Sequence, residues 1–248
     1  MSGHSKWSTI KHKKARLDAK RGKLWSKLAR NITMVARSSG GSIEASPSLR
    51  LAVDKAKAAN MPKDTIEKAI KKGTGDLDGA SYEEVVYEGY GSGGVAVMAT
   101  ALTDNRTRTA PEIKRIFERA GGSLGAINSV SWMFSKQGII MVAKSAVEED
   151  KLMELALENG ADDVSTEDDH FVIATTPESY LDVKEAVEAA GIDIESSDVS
   201  LLPSNYVTPD AETARKIIRL VEALEDHDDV ENVATNMDIP DDVLAEMS

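Results

Sequence analysis

Residues 138–203 alternate in an order that few folds accommodate: strand, helix, strand, strand, helix, strand. The strands are expected at 138–144, near 162–167, at 170–175 and at 196–202, and the helices at 146–159 and 177–190. A capping box, Ser145-Ala-Val-Glu148, is expected to open the first helix and Thr176-Pro177 the second. This β-α-β-β-α-β order is the ferredoxin-like split unit. Before it lie strands 82–90 and 94–102 joined by Gly91-Ser-Gly-Gly94, a helix opened by Thr109-Ala-Pro-Glu112, and a further strand expected through Val130–Phe134. After it comes a helix begun at Thr208-Pro209, with Ile217, Leu220, Val221 and Leu224 inward, and a strand near 230–237. A lone trailing helix and strand bury too little surface to stand alone, so they are expected to complete the earlier sheet. The expected class is α+β, with a discontinuous α+β domain at 80–137 and 204–248 and the ferredoxin-like unit 138–203 inserted into it.

The first third of the chain reads differently. Leu24, Leu28, Ile32 and Val35 share one helical face with Trp25 flanking it, and Gly40-Gly41 ends that helix. Ser46-Pro47 supplies an N-cap and a proline at the first helical position for a second helix. A third starts near Pro62, carries Ile66, Ala69 and Ile70, and is expected to end at Lys71-Lys-Gly73. Residues 22–75 thus form a small helical domain, preceded at 1–21 by a basic segment without sustained periodicity, read as a flexible arm.

Charge divides along the same line. Residues 1–75 hold 18 Lys and Arg against 5 Asp and Glu, a net of +13, although the whole chain is at −12. The segment 138–203 holds 3 against 17, a net of −14, and strand 170–175 offers only Phe171 as a stacking aromatic. RNA-recognition domains of this topology need a basic frame and sheet aromatics, so the insertion is excluded as a nucleic-acid site. The arm has the opposite character, with ten cations and one acid in residues 1–30. Lys6, Lys11, Lys13, Lys14, Arg16, Lys20, Arg21 and Lys23 are candidates for phosphate contacts, with Trp7 and His12 as stacking or base-contacting groups. The competing reading is a solvated tail with no specific partner.

Two loops carry weaker signals. Gly89-Tyr-Gly-Ser-Gly-Gly94 joins two strands and reads as a hairpin turn rather than a phosphate cradle. Asp104-Asn-Arg-Thr-Arg108 precedes a helix, where Arg106 and Arg108 either hold an anion or pair with neighbouring acids. Enzymatic parts are not evident. His4, His12, His170 and His227 follow no metal-ligand spacing, no nucleophile elbow or P-loop occurs, and the chain has no cysteine. No catalytic residue, metal or cofactor is therefore expected. No apolar run reaches the roughly 18 residues of a membrane span, so no membrane partner is expected either.

Read together and in order, several motifs carry a resemblance. They are Gly3-His-Ser-Lys-Trp7, Ile10-Lys-His-Lys-Lys14, Asp18-Ala-Lys-Arg-Gly-Lys23, Tyr87-Glu-Gly-Tyr-Gly91, Asp104-Asn-Arg106 with Arg108-Thr109, and Gly121-Gly-Ser-Leu-Gly125. Over nearly its full length the chain is similar to the YebC/PmpR family. It departs at Trp25, where relatives usually have phenylalanine, at Thr107 (usually asparagine) and at Asn128 (usually glycine). The resemblance implies a helical N-terminal domain and two α+β domains. It implies a probable transcriptional regulator that binds DNA, as bacterial members are described, or a factor on ribosomal RNA. A mitochondrial relative activates translation of cytochrome oxidase subunit I, and some bacterial members associate with ribosomes stalled in proline runs. The basic N-terminus has a transit-peptide character, but the Gly3-His-Ser-Lys-Trp7 motif sits at the very start, which implies a bacterial cytoplasmic protein. The expected partner is nucleic acid, DNA or rRNA, with the ribosome in the second case; protein partners of the acidic domains are unspecified.

Overall fold

The computed structural model describes residues 21–79, 81–167, 169–239 and 243. Three helices open it: α1 (Arg21–Ser39), α2 (Pro47–Ala58) and α3 (Lys63–Thr74). They close on a core of Ile32, Ala36, Leu49, Ala52, Val53, Ala56, Met61, Ile66 and Ala69, against which Trp25 and Leu28 pack half-buried. Ser46 caps α2 as expected, accepting the Leu49 amide at 3.1 Å. Helix α3 does not stop at Gly73. A Cβ there would lie 2.7 Å from that of Ala36, so this glycine permits α1 and α3 to touch. Gly75, at φ 87°, makes the left-handed turn that ends the helix.

Next come β1 (Glu83–Tyr90), β2 (Ala96–Thr103), α4 (Arg106–Arg119) and β3 (Ser123–Leu124). After them follow β4 (Phe134–Ala143), α5 (Glu149–Glu158), β5 (Ala161–Glu167), β6 (His170–Thr175), α6 (Tyr180–Ala189) and β7 (Ile194–Pro203). The chain continues with α7 (Ala211–Glu225) and β8 (Val230–Thr235). Two sheets result, ordered β3-β1-β2-β8 and β5-β6-β4-β7, with antiparallel pairing throughout. The second order is that of a ferredoxin-like unit, and residues Phe134–Ser204 form a compact unit of their own. The first sheet takes its last strand from beyond that unit, so the α+β class with an inserted ferredoxin-like module is the observed architecture. Its core joins Val85, Tyr87, Val97 and Ala99 of the strands to Ile113 and Phe117 of α4 and Leu220 and Leu224 of α7.

Several local expectations are corrected. Helix α4 begins three residues before Thr109, because Asn105 is its cap and accepts the Arg108 amide at 3.1 Å. The Ser145 box does not open α5; a 3-10 turn occupies Lys144–Ala146 and the helix starts at Glu149. Helix α6 starts at Tyr180, after a turn in which Thr176 Oγ1 accepts the Ser179 amide at 3.2 Å. Asp210, not Thr208, caps α7. No strand runs through Val130–Phe134: Ser131–Met133 is a 3-10 turn and β4 starts at Phe134.

Candidate nucleic-acid interface

The expected interface starts outside the described residues, where Lys6, Trp7, Lys11, His12, Lys13, Lys14, Arg16 and Lys20 all lie. Arg21 is the first described residue and lies in α1. Lys23, Lys27 and Arg30 follow on α1, and all three meet the acidic turn between α7 and β8. Lys23 Nζ pairs with Asp228 Oδ1 at 3.0 Å and donates to the Asp226 carbonyl at 3.1 Å. Lys27 Nζ donates to the Glu225 carbonyl at 2.6 Å. Arg30 Nη1 donates to Asp229 Oδ1 at 2.9 Å, its Nη2 reaches the Asp228 carbonyl, and its guanidinium lies 6.0 Å from the Tyr82 ring centre.

These contacts are unequal. The Lys23–Asp228 pair leaves both side chains more than half exposed, at 55% and 74%. Such pairs contribute about 0–1 kcal/mol, so a phosphate can take the carboxylate's place with little loss. The Arg30–Asp229 pair is covered, at 13% and 7%. Asp229 also accepts from Arg108 Nη2 at 2.7 Å, Thr109 Oγ1 at 2.7 Å and Thr103 Oγ1 at 3.2 Å. One carboxylate thereby ties α1, α4 and β2 to the start of β8. Burial would raise its pKa, but the Thr109 and Arg108 hydrogen bonds and the Arg108 charge hold it below the usual carboxylate range. Two residues on, Glu231 goes the other way. Burial pushes its carboxyl up to about 8 despite the opposing charges of Arg30 and Lys27, because Arg30 Nε stays 3.8 Å from Oε1, which accepts no hydrogen bond among the described residues. Lys27 is lowered, again chiefly by burial.

Arg106 and Arg108 both meet carboxylates of their own sheet unit. Arg108 Nη2 spans Asp104 at 3.1 Å and Asp229, while Arg106 Nη1 stands 3.6 Å from Glu83 and is 61% exposed. Beyond α1, the helical module keeps Lys55, Lys57, Lys63, Lys68, Lys71 and Lys72 on its surface. Trp25 packs against the helical core as the periodicity requires, its indole N–H donating to the Ala59 carbonyl at 2.9 Å.

A second buried acid was invisible as such in the sequence. Strand alternation puts Glu88 on the face of β1 opposite Val85 and Tyr87. Its carboxylate accepts the backbone amides of Asn128, Val130 and Ser131, each at 2.8 Å. Burial disfavours the charge, yet the Val130, Asn128 and Ser131 amides outweigh it and pull the pKa below normal. The signal was present in Tyr87-Glu-Gly-Tyr-Gly91, where an acid occupies a strand position between glycine and aromatics. Asn128 stands at φ 66°, in the left-handed region that favours glycine.

A lysine-rich helical module clasped by one sheet, whose chain also carries an acidic ferredoxin-like insertion, defines a composite α+β protein. The chain belongs to the TACO1/YebC family: the family's N-terminal domain matches residues 5–76, and its second and third domain matches residues 82–237. A "probable transcriptional regulatory protein" of Desulfatibacillum aliphaticivorans is 55% identical over 246 residues, covering 99% of this chain and 100% of that one. One so named from Geobacter sulfurreducens is 52% identical over 239 residues, 96% of each chain. The crystal structure of a conserved hypothetical protein, Aq1575 from Aquifex aeolicus, superposes with a TM-score of 0.80 at 48% identity, covering 94% of this chain and 96% of that one. No helix among the described residues is long and apolar enough to cross a membrane.

Proposed function

We propose that the protein is a non-enzymatic regulator of gene expression that binds nucleic acid through its basic N-terminal module. The observation that carries this reading is the continuity of positive charge from the arm into α1 and onto the exposed lysines of the helical module, set against the acidic insertion. Lys6, Lys11, Lys13, Lys14, Arg16, Lys20, Arg21 and Lys23 contact phosphates, and Trp7 and His12 stack on or contact bases. Lys23 exchanges Asp228 for phosphate on binding. Arg106 is the exposed anion contact of its loop, whereas Arg108 serves Asp229. The names of the relatives favour DNA and transcription. A ribosomal RNA target with a role in translating difficult, proline-rich sequences is the second reading, favoured by stacking groups set among cations, which suit irregular RNA.

The test replaces Lys11, Lys13, Lys14, Lys20 and Arg21 by Glu and measures binding by fluorescence anisotropy at low salt. Binding is expected to vanish, because each lost phosphate contact removes a counterion-release contribution. Equal affinity of the variant and the wild-type protein refutes the assignment. Crosslinking in cells followed by sequencing of the attached nucleic acid separates promoter DNA from rRNA.

A further inference from the structure

Lys23, Lys27 and Arg30 recur at i, i+4 and i+7, so they form one stripe along α1, on the side turned away from Leu28, Ile32 and Ala36 of the helical core. In sequence the stripe continues the cations of the arm. What already lies on it is informative. The turn at 225–229 sets the carboxylates of Asp228 and Asp229 and the carbonyls of Glu225, Asp226 and Asp228 against the three cations. Helix α7 has no basic residue in its own last turn, so its C-terminal carbonyls add partial negative charge to that of the acids. Closely spaced anionic and carbonyl oxygens laid along a lysine and arginine stripe present the chemistry of a phosphodiester backbone.

The contact is separable on physical grounds. The core of the helical module and the cores of the first sheet unit share no residue, and α1 meets the turn through ion pairs and hydrogen bonds. Separation leaves no buried charge without partners. Asp229 keeps Arg108 Nη2 at 2.7 Å, Thr109 Oγ1 at 2.7 Å and Thr103 Oγ1 at 3.2 Å, while Lys27 and Arg30 pass to water or to phosphate. Glu231 gains by it. Its Oε1 accepts no hydrogen bond among the described residues, with Arg30 Nε 3.8 Å away, and opening brings it solvent. The connection from α3 to β1, which contains Gly75 and Gly79, is the covalent tether between module and sheet.

We infer that the Lys23–Lys27–Arg30 stripe is a nucleic-acid contact face that the acidic turn occupies in the free protein, and that the helical module leaves the turn when a phosphodiester backbone takes its place. The inference rests on the nucleic-acid reading above and deepens it. The arm makes the first contact, and Lys27 and Arg30 join it only after the module undocks. The turn is thus an internal competitor, and it lowers the apparent affinity in proportion to the fraction of molecules still docked.

The chain has no cysteine, so Glu67→Cys on α3 and Ala223→Cys on α7, both at exposed positions, put a donor and an acceptor dye on the two sides of the contact in the full chain. Duplex DNA and single-stranded RNA are the probes. Energy transfer should fall as a probe binds, with the midpoint that anisotropy gives for the same probe. In a second measurement Lys27→Gln with Arg30→Gln should make the slope of log Kd against log salt shallower by about 1.8 on duplex, the value of two phosphate contacts. Lys136→Gln with Lys151→Gln, exposed on the ferredoxin-like unit, should leave that slope unchanged. Constant energy transfer at saturating probe overturns the inference, whether or not the Gln variant folds, and leaves the nucleic-acid reading standing. A fall in transfer with an unaltered slope in a folded Gln variant overturns it as well, because the module would then move without the stripe touching phosphate. Should the parent bind neither probe, both readings fall.

Discussion

The two sheets are built to similar specifications. Each has four antiparallel strands with helices from its own unit packed on it. The ferredoxin-like sheet places its charge outside: its strands and helices bury Ile139, Ile140, Met141, Val142, Leu152, Ile173, Tyr180 and Val183, and among the described residues of this unit no Asp or Glu is buried. The first sheet buries Glu88 and Asp229, at 6% and 5% exposure. An acidic surface costs little because water solvates it. A buried acid is stable only when amides or cations replace that water, and so it fixes whatever supplies them. Net charge therefore describes how a unit meets other charged molecules, whereas buried charge fixes which parts of the chain are held in place.

Four measurements test this contrast. Asp229→Ala should have the largest effect, about 3 kcal/mol or more, because Arg30 loses its covered partner and Thr103 and Thr109 lose an acceptor. Urea unfolding followed by hydrogen exchange should show α1 and the first sheet weakened and the ferredoxin-like unit unchanged; equal weakening of both would break the contrast. Glu88→Gln should cost about 2 kcal/mol, since one amide oxygen replaces two carboxylate oxygens facing three N–H donors. Exchange of the Asn128, Val130 and Ser131 amides should accelerate, and slow exchange in the variant would contradict the clamp.

The pH dependence comes next. Asp229 and Glu88 have folded pKa values below their unfolded ones, so their contribution is present above the unfolded value, near 4, and is lost as pH falls through the folded one. Glu231 is raised to about 8, so its contribution has the opposite sign: fully present below its unfolded pKa and lost as pH rises through about 8. The first sheet unit should therefore lose stability at both ends of the scale, and Glu231→Gln should flatten only the alkaline side in a series of denaturation curves from pH 4 to 9. An unaltered alkaline limb in that variant would show that Glu231 is not its source. The smallest effect belongs to Lys23→Ala. Its exposed pair predicts a stability change under about 1 kcal/mol, with the salt dependence of nucleic-acid binding shallower by about one phosphate contact. An unchanged salt slope would assign Lys23 to the intramolecular pair alone.

Much of this was written locally. The ferredoxin-like order, the Ser46 cap and the amphipathic α1 follow from hydrophobic period and capping chemistry, which act over a few residues and are visible in any short window. The failures share one cause. Thr109 has the look of a cap, but its hydroxyl serves Asp229, a residue 120 positions away, while Asn105 does the capping. Val130–Phe134 has strand composition, but the Val130 and Ser131 amides are committed to Glu88 and cannot join a ladder. Gly73 resembles a stop signal and instead makes room for Ala36.

The amino-acid order alone determined the class of fold, the segregation of charge and the candidate cations, because periodicity and composition require no knowledge of what lies across the core. Tertiary structure alone decided which acids are buried, which cations they occupy and that Trp132 faces solvent while Trp25 does not. Those depend on desolvation, and desolvation is a property of the packed assembly of elements that no single segment possesses.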